Sequence, residues 1–143
     1  MNTDPNCIFC KIVAGELPAA LVTEDEATIS FMDINPLNAG HLLVIPRDHH
    51  ESIGTVPGNV LSHMALVAQS LASALRASPV RTEGINLYLS DGAAAGQEVP
   101  HAHMHVIPRF AGDGFRIRAK RPPTPSLEQL EETAAQIRAA AAD

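Results

Sequence analysis

The chain contains no internal repeat, and no stretch approaches the ~20 apolar residues that a membrane-spanning helix requires. Its first residues, Met1 to Asn6, lack the positive segment and apolar run of a secretory leader, so a cytoplasmic location is expected. Cysteine is scarce, with two residues in 143, which excludes a disulfide framework. None is needed, because a single core at this length buries roughly two-thirds of the surface the unfolded chain exposes. Positive charge is also short: ten Lys and Arg face sixteen Asp and Glu, a formal charge of -6. That balance argues against nucleic acid or an anionic membrane as the main partner. One local exception is the basic cluster Arg116, Arg118, Lys120 and Arg121. With 45% hydrophobic, 18% charged and only 3% aromatic residues, the composition fits one soluble domain.

Apolar residues at Ile8, Phe9, Ile12 and Val13 have helical spacing, and Gly15 followed by Pro18 stops that helix. Residues 20–23 and 28–32 flank the polar Glu24 to Glu26, the pattern of a hairpin. The turn-rich Asn35 to Gly40 leads into a short apolar strand, His41 to Ile45, closed by Pro46. From Gly58 to Ala77, Val60, Met64, Val67, Leu71 and Leu75 recur at three- and four-residue steps, so a helix of about five turns packs one face on the core. Gly84 to Ser90 reads as a strand, Asp91 to Gly96 as a small-residue loop, and Pro100 to Ile107 as an alternating strand. After the stiff Arg121 to Pro125, Ser126 and Gln129 form a capping box for a last helix through Leu127, Leu130, Ala134 and Ile137, with its end from Ala139 to Asp143 frayed. Hairpins with helices between them favour an α+β fold with an antiparallel sheet.

The alternating strand carries the chemistry. Side chains two apart share a face, so His101, His103 and His105 point one way while Ala102, Met104 and Val106 join a core. Three imidazoles can hold a catalytic metal, or one can attack phosphorus while its neighbours donate to a phosphate. The alternative without function is three histidines on a solvated face. A straight row about 13 Å long cannot converge on one ion at about 2 Å per bond, which weighs against a metal held by all three. The preceding Gly96 and Gln97 offer a backbone that approaches an anion closely and an amide donor.

His101 to Ile107, with its histidine–apolar alternation, resembles the motif of the histidine triad family. Cys7 to Ile12, Phe31 to Pro36, Gly40 to Pro46 and Ala95 to Gln97 resemble that family's other landmarks, in order, over about residues 7–110. The resemblance implies one domain over residues 1–143 with an antiparallel sheet of about five strands, a short N-terminal helix, a long helix and a C-terminal helix. The small nucleoside phosphoramidase branch is the most similar. It implies a homodimer that cleaves purine nucleotides at the α-phosphate through a nucleotidyl-histidine, with a dinucleoside polyphosphate hydrolase as the related alternative. By that resemblance His103 is the nucleophile, His105 donates to the phosphate, and His41 with His101 orients the rings. Gly96 and Gln97 position the phosphate, Asp33 binds the ribose, and Ile8, Phe9, Ile12, Phe31 and Ile34 enclose the base. Those five apolar residues would be plain core in most proteins. Glu98 departs from the pattern, because it stands where relatives often carry a Ser or Thr donor, and its charge opposes an anion. A neutral nucleophile implies activity that falls below about pH 6.

Cys7 and Cys10, with two residues between them in the chain, suggest a metal site or a redox pair. A thioredoxin-like pair should follow a strand, and none fits before residue 7, so zinc is the better reading; two buried reduced thiols remain the simple alternative. Two thiolates need two further ligands. The resemblance supplies them as His49, with His50 an alternative, and His101, which makes the zinc structural and unnecessary for the chemistry. His63, on the long helix, reads as a surface residue. Two other classes stay open: a nucleotide-binding regulatory module with little turnover, and a metal-dependent hydrolase that uses the histidine row directly.

Overall fold

The computed structural model describes residues 1–116 and 119–141. A five-stranded antiparallel sheet runs in the order β1 (Leu21–Glu24), β2 (Thr28–Met32), β3 (Leu42–Pro46), β5 (Met104–Arg109), β4 (Gly84–Leu89). Three helices complete it: α1 (Ile8–Val13), α2 (Gly58–Ala77) and α3 (Leu127–Ala141). The α+β fold expected from the hairpin pattern is the one observed, and α2 has the expected bounds.

The central strand β3 is buried at all five positions because both faces of the sheet are covered. On one face Met64, Ala68, Leu71 and Leu75 of α2 pack against Leu42, Val44 and Val106. On the other, Phe9 and Cys10 of α1 pack against Ile29, Phe31, Leu43 and Ile45. Residue parity along β3 thus decides which side chains meet α2 and which line the α1 side. Gly40 sets the entry to β3: its φ is +95°, and a Cβ there would lie 2.7 Å from Val80 Cγ1. The capping box at α3 forms, since Ser126 Oγ accepts from Gln129 N at 3.1 Å and Gln129 Oε1 accepts from Ser126 N at 2.9 Å. No described residue of α3 is buried. Arg116, Lys120 and Arg121 are exposed, whereas Arg118 and the chain end beyond Ala141 lie outside the described residues.

One expectation is corrected. The histidine strand begins at Met104 rather than Pro100, so His101 and His103 precede the ladder. The backbone there is diverted: His101 N donates to Val99 O at 2.8 Å and Ala102 N to His50 O at 2.6 Å. The hydrogen bond to His50 stands where pairing with β3 was expected. The division of faces survives, because Ala102 and Val106 still enter the α2-side core.

Met64 is fully buried beneath the sheet. Its replacement, Met64→Ala, is expected to lower stability by about 2–5 kcal/mol, read as a shift in the urea midpoint.

Candidate active site

A cleft of about 600 Å³ opens on the α1 side of the sheet, walled by Phe9, Phe31, Asp33, Tyr88, Glu98, His103 and His105 among others. Loop and strand ends meet there. His41 enters just before β3, His105 lies opposite Leu43 on β5, and His103 is brought in by the diverted segment before the ladder.

The hydrogen bonds fix which nitrogen of each imidazole bears the proton. The His101 carbonyl accepts from His103 Nδ1–H at 2.7 Å, which leaves the lone pair of His103 on Nε2. Leu37 N donates to His41 Nδ1 at 3.0 Å, so the His41 proton is on Nε2. That Nε2–H donates to His105 Nδ1 at 2.9 Å, a nearer acceptor than Asp33 Oδ2 at 3.4 Å. His105 must then carry its proton on Nε2. The site therefore sets one bare ring nitrogen, on His103, beside one ring N–H donor, on His105. Their ring centroids are 4.9 Å apart.

Burial keeps His105 and His41 neutral. The pKa of His105 is held down at about 4, first by desolvation and then by the neighbouring His103 and His41, against a small upward pull from Asp33. His41 is lowered as well: desolvation outweighs the attraction of the Asp33 carboxylate. Burial of the Tyr88 phenol, with Asp33 and Glu98 adding to it, raises its pKa, so it is protonated at neutral pH.

The other expected residues are distributed unevenly. Phe9 and Phe31 are deep in the α1-side core and still reach the cleft, while Ile8 and Ile34 are exposed on its rim. Ile12 lines the same wall. Asp33 Oδ1 accepts from Asn35 N at 2.8 Å, and Oδ2 faces His41. Gly96 and Glu98 border the cleft, but Gln97 is turned elsewhere. Its amide donates to the carbonyls of Glu51 and Val99 at 2.7 and 3.0 Å, and its Oε1 accepts from Gly92 N at 2.8 Å. It holds the loop in place from behind. Tyr88 and Ser90 line the cleft without having been expected; their signal was β4 alternation in register with the histidine strand, which places residue 88 opposite residue 105.

Behind the histidines, Cys7, Cys10, His49 and His101 form a buried cluster whose ligand atoms all lie within 4.8 Å of one another. His101 Nδ1 is 3.4 Å from Cys7 Sγ and 3.7 Å from Cys10 Sγ, and His49 Nδ1 is 3.4 Å from Cys10 Sγ. A tetrahedral zinc with its usual bond lengths has sulfur–nitrogen edges of about 3.5–3.6 Å, so the donor set fits the ion in type and spacing. His101 Nε2–H donates to Pro46 O at 2.9 Å, which leaves Nδ1 free of a proton toward the thiols. Burial holds the His101 pKa at about 4 and raises that of Cys7. His50 contributes its carbonyl to Ala102 and is not in the cluster.

With this geometry in view, comparison with known proteins is direct. The HIT domain model matches residues 14–112, and the chain belongs to this histidine triad family. A HIT family protein from Bacillus anthracis superposes with a TM-score of 0.88 at 36% identity, covering 96% of this chain and 99% of that one. A Zn-bound histidine triad family protein from Mycobacterium smegmatis gives a TM-score of 0.75 at 39% identity, covering 94% and 97%. By sequence, adenylylsulfatase HINT3 of Arabidopsis thaliana is 36% identical over 108 residues, 76% of this chain and 54% of that protein.

Two histidines kept neutral by burial make stability depend on pH. Below the ordinary histidine value near 6.5 the unfolded chain takes up protons that folded His101 and His105 refuse until about pH 4. Stability in chelator is expected to be full above about pH 6.5 and to fall toward pH 4 by up to about 1.4 kcal/mol per pH unit for His101, and by less for the more solvent-screened His105. Urea unfolding at a series of pH values reads this; a flat profile from 7 to 5 would contradict it.

Proposed function

We propose that the protein is a nucleotide hydrolase or transferase that acts at the α-phosphate of a purine nucleotide carrying an amine or similar leaving group. The observation that carries the reading is the paired tautomers: a bare Nε2 on His103 beside an Nε2–H on His105 in one cleft. In the first step His103 Nε2 bonds to phosphorus as the bond to the leaving group breaks, and the amine departs with a proton taken from solvent, to which the hydrolysis step returns one. Positive charge then grows on the ring, and the His101 carbonyl at Nδ1–H is placed to stabilise it. His105 Nε2–H donates to a phosphate oxygen, held in that role by His41. Water then displaces His103, releases the nucleoside monophosphate and restores the neutral imidazole.

Asp33 accepts from the ribose hydroxyls, and Ile8, Phe9, Ile12, Phe31 and Ile34 enclose the base. Glu98 and Asp33 are the charged residues of the cleft wall, which among the described residues carries no Lys or Arg. That charge favours an amine leaving group over the extra phosphates of a dinucleoside polyphosphate. The plant relative's name adds sulfate as a leaving group to test.

Cys7, Cys10, His49 and His101 would hold zinc as a closed structural site that tethers α1 to the histidines. Two copies would meet about a two-fold axis through the outer edge of β4, where Leu87 is 48% exposed, and α2, where Leu66 is 62% exposed. No helix among the described residues is long and apolar enough to cross a membrane, and the reduced thiols accord with a cytoplasmic location.

Adenosine 5′-phosphoramidate is expected to yield AMP with the wild type, and His103→Ala to lower kcat by ~10³-fold or more. Equal turnover by the variant would remove His103 as nucleophile; binding of AMP without turnover of phosphoramidate or phosphosulfate would leave a binding module. For the metal, one zinc per chain is expected, and Co²⁺ in its place should show a thiolate charge-transfer band. Cys10→Ser or His49→Ala should weaken that binding, by about 10–100-fold or more, whereas His50→Ala should leave it intact.

A further inference from the structure

The role given to His105 needs more than the right nitrogen protonated. The Cβ–Cγ torsion of an imidazole is broad, and a hydrogen bond to one ring atom selects a nitrogen while restricting the plane only loosely. His41 supplies the bond, at 2.9 Å to Nδ1. The plane is bounded by Tyr88, whose ring lies over His105 with centroids 4.4 Å apart and planes 23° from parallel. The two are direct cross-strand partners, residue 88 of β4 opposite residue 105 of β5. Every other ring against His105 meets it at a steep angle: His41 at 45° and His103 at 57°.

Tyr88 is the one tyrosine of the chain. It stands on the face of β4 that turns away from α2; its neighbours Ile85 and Leu89 pack on the α2-side core, and Tyr88 belongs to neither apolar cluster. Core packing therefore does not account for an aromatic residue there. An aliphatic side chain would fill the volume, but only a flat ring matches the imidazole face.

We propose that Tyr88 is a positioning residue for His105: its ring sets the imidazole plane while His41 sets the tautomer, and together they aim Nε2–H into the cleft. This rests on the proposed role of His105 as the phosphate donor. Tyr88 acts through His105, and the flat ring rather than the hydroxyl carries the effect.

The test compares Tyr88→Phe, which keeps the ring, with Tyr88→Leu, which keeps bulk without flatness, in the zinc-loaded protein. Turnover of adenosine 5′-phosphoramidate by Tyr88→Phe should stay within about threefold of wild type. Tyr88→Leu should lose about tenfold in kcat with KM little changed. Independently of any substrate, the proton shared by His41 and His105 should give a protected downfield imidazole N–H signal by NMR in the wild type and Tyr88→Phe, and lose it to exchange in Tyr88→Leu. Wild-type kcat in Tyr88→Leu, an equal loss in both variants, or an N–H signal undisturbed in Tyr88→Leu would overturn the proposal. A wild type that releases no AMP would sink the phosphoramidase reading, and the N–H signal would still decide whether Tyr88 holds His105.

Discussion

His101 is fully buried and acts in three directions at once. Its Nε2–H donates to the Pro46 carbonyl, its Nδ1 faces the thiols of Cys7 and Cys10, and its backbone carbonyl accepts from His103 Nδ1–H. Each bond limits the others. The Pro46 contact anchors the residue to the end of β3, the thiol contacts draw α1 and the N-terminal segment onto the sheet, and the carbonyl fixes the proton of the neighbouring ring. This buried imidazole, with its polar atoms committed, sits where the backbone leaves the strand ladder.

Around that joint the site is built in two layers. The cluster of thiols and imidazoles lies behind, its two cysteines within the α1-side core, with His49 at its partly exposed edge. In front, the cleft holds the rings that can meet a substrate, and their protons are set by contacts from three separate places: the loop at Leu37, His41 just before β3, and the His101 carbonyl in the segment before β5. Desolvation lowers the proton affinity of His105 and His41, which keeps both rings neutral near pH 7 instead of a pair of cations. Preorganisation of this kind requires a rigid support, and the centre of the sheet, buried at every position of β3, supplies it.

The sheet accounts for the division between core and site. Alternation on β3 and β5 sends one set of side chains to α2 and the other to the cleft, so a single pair of strands serves packing and chemistry at once. Phe9 and Phe31 belong to both: they fill the α1-side core and present ring edges to the cleft, where Phe9 meets His103 at 5.2 Å between centroids. Reading such residues as either core or pocket is a false choice when a small domain has its cleft directly over its core.

The sequence by itself determined the elements and their faces, because periodicity is local: Met64, Leu71 and Leu75 mark the buried side of α2, and Ser126 with Gln129 marks the start of α3. It also marked the histidines and the cysteine pair, whose residue types are scarce enough to stand out. What only the tertiary structure decided depends on contacts between distant segments. The protons of His103 and His105 follow from a carbonyl and from a ring 64 residues away in the chain. The shorter ladder follows from a bond between Ala102 and His50, the inward turn of Gln97 from the Glu51 carbonyl, and the place of Tyr88 from strand register. Spacing along a chain fixes which side a residue takes; which partner it finds there is settled when the strands come together.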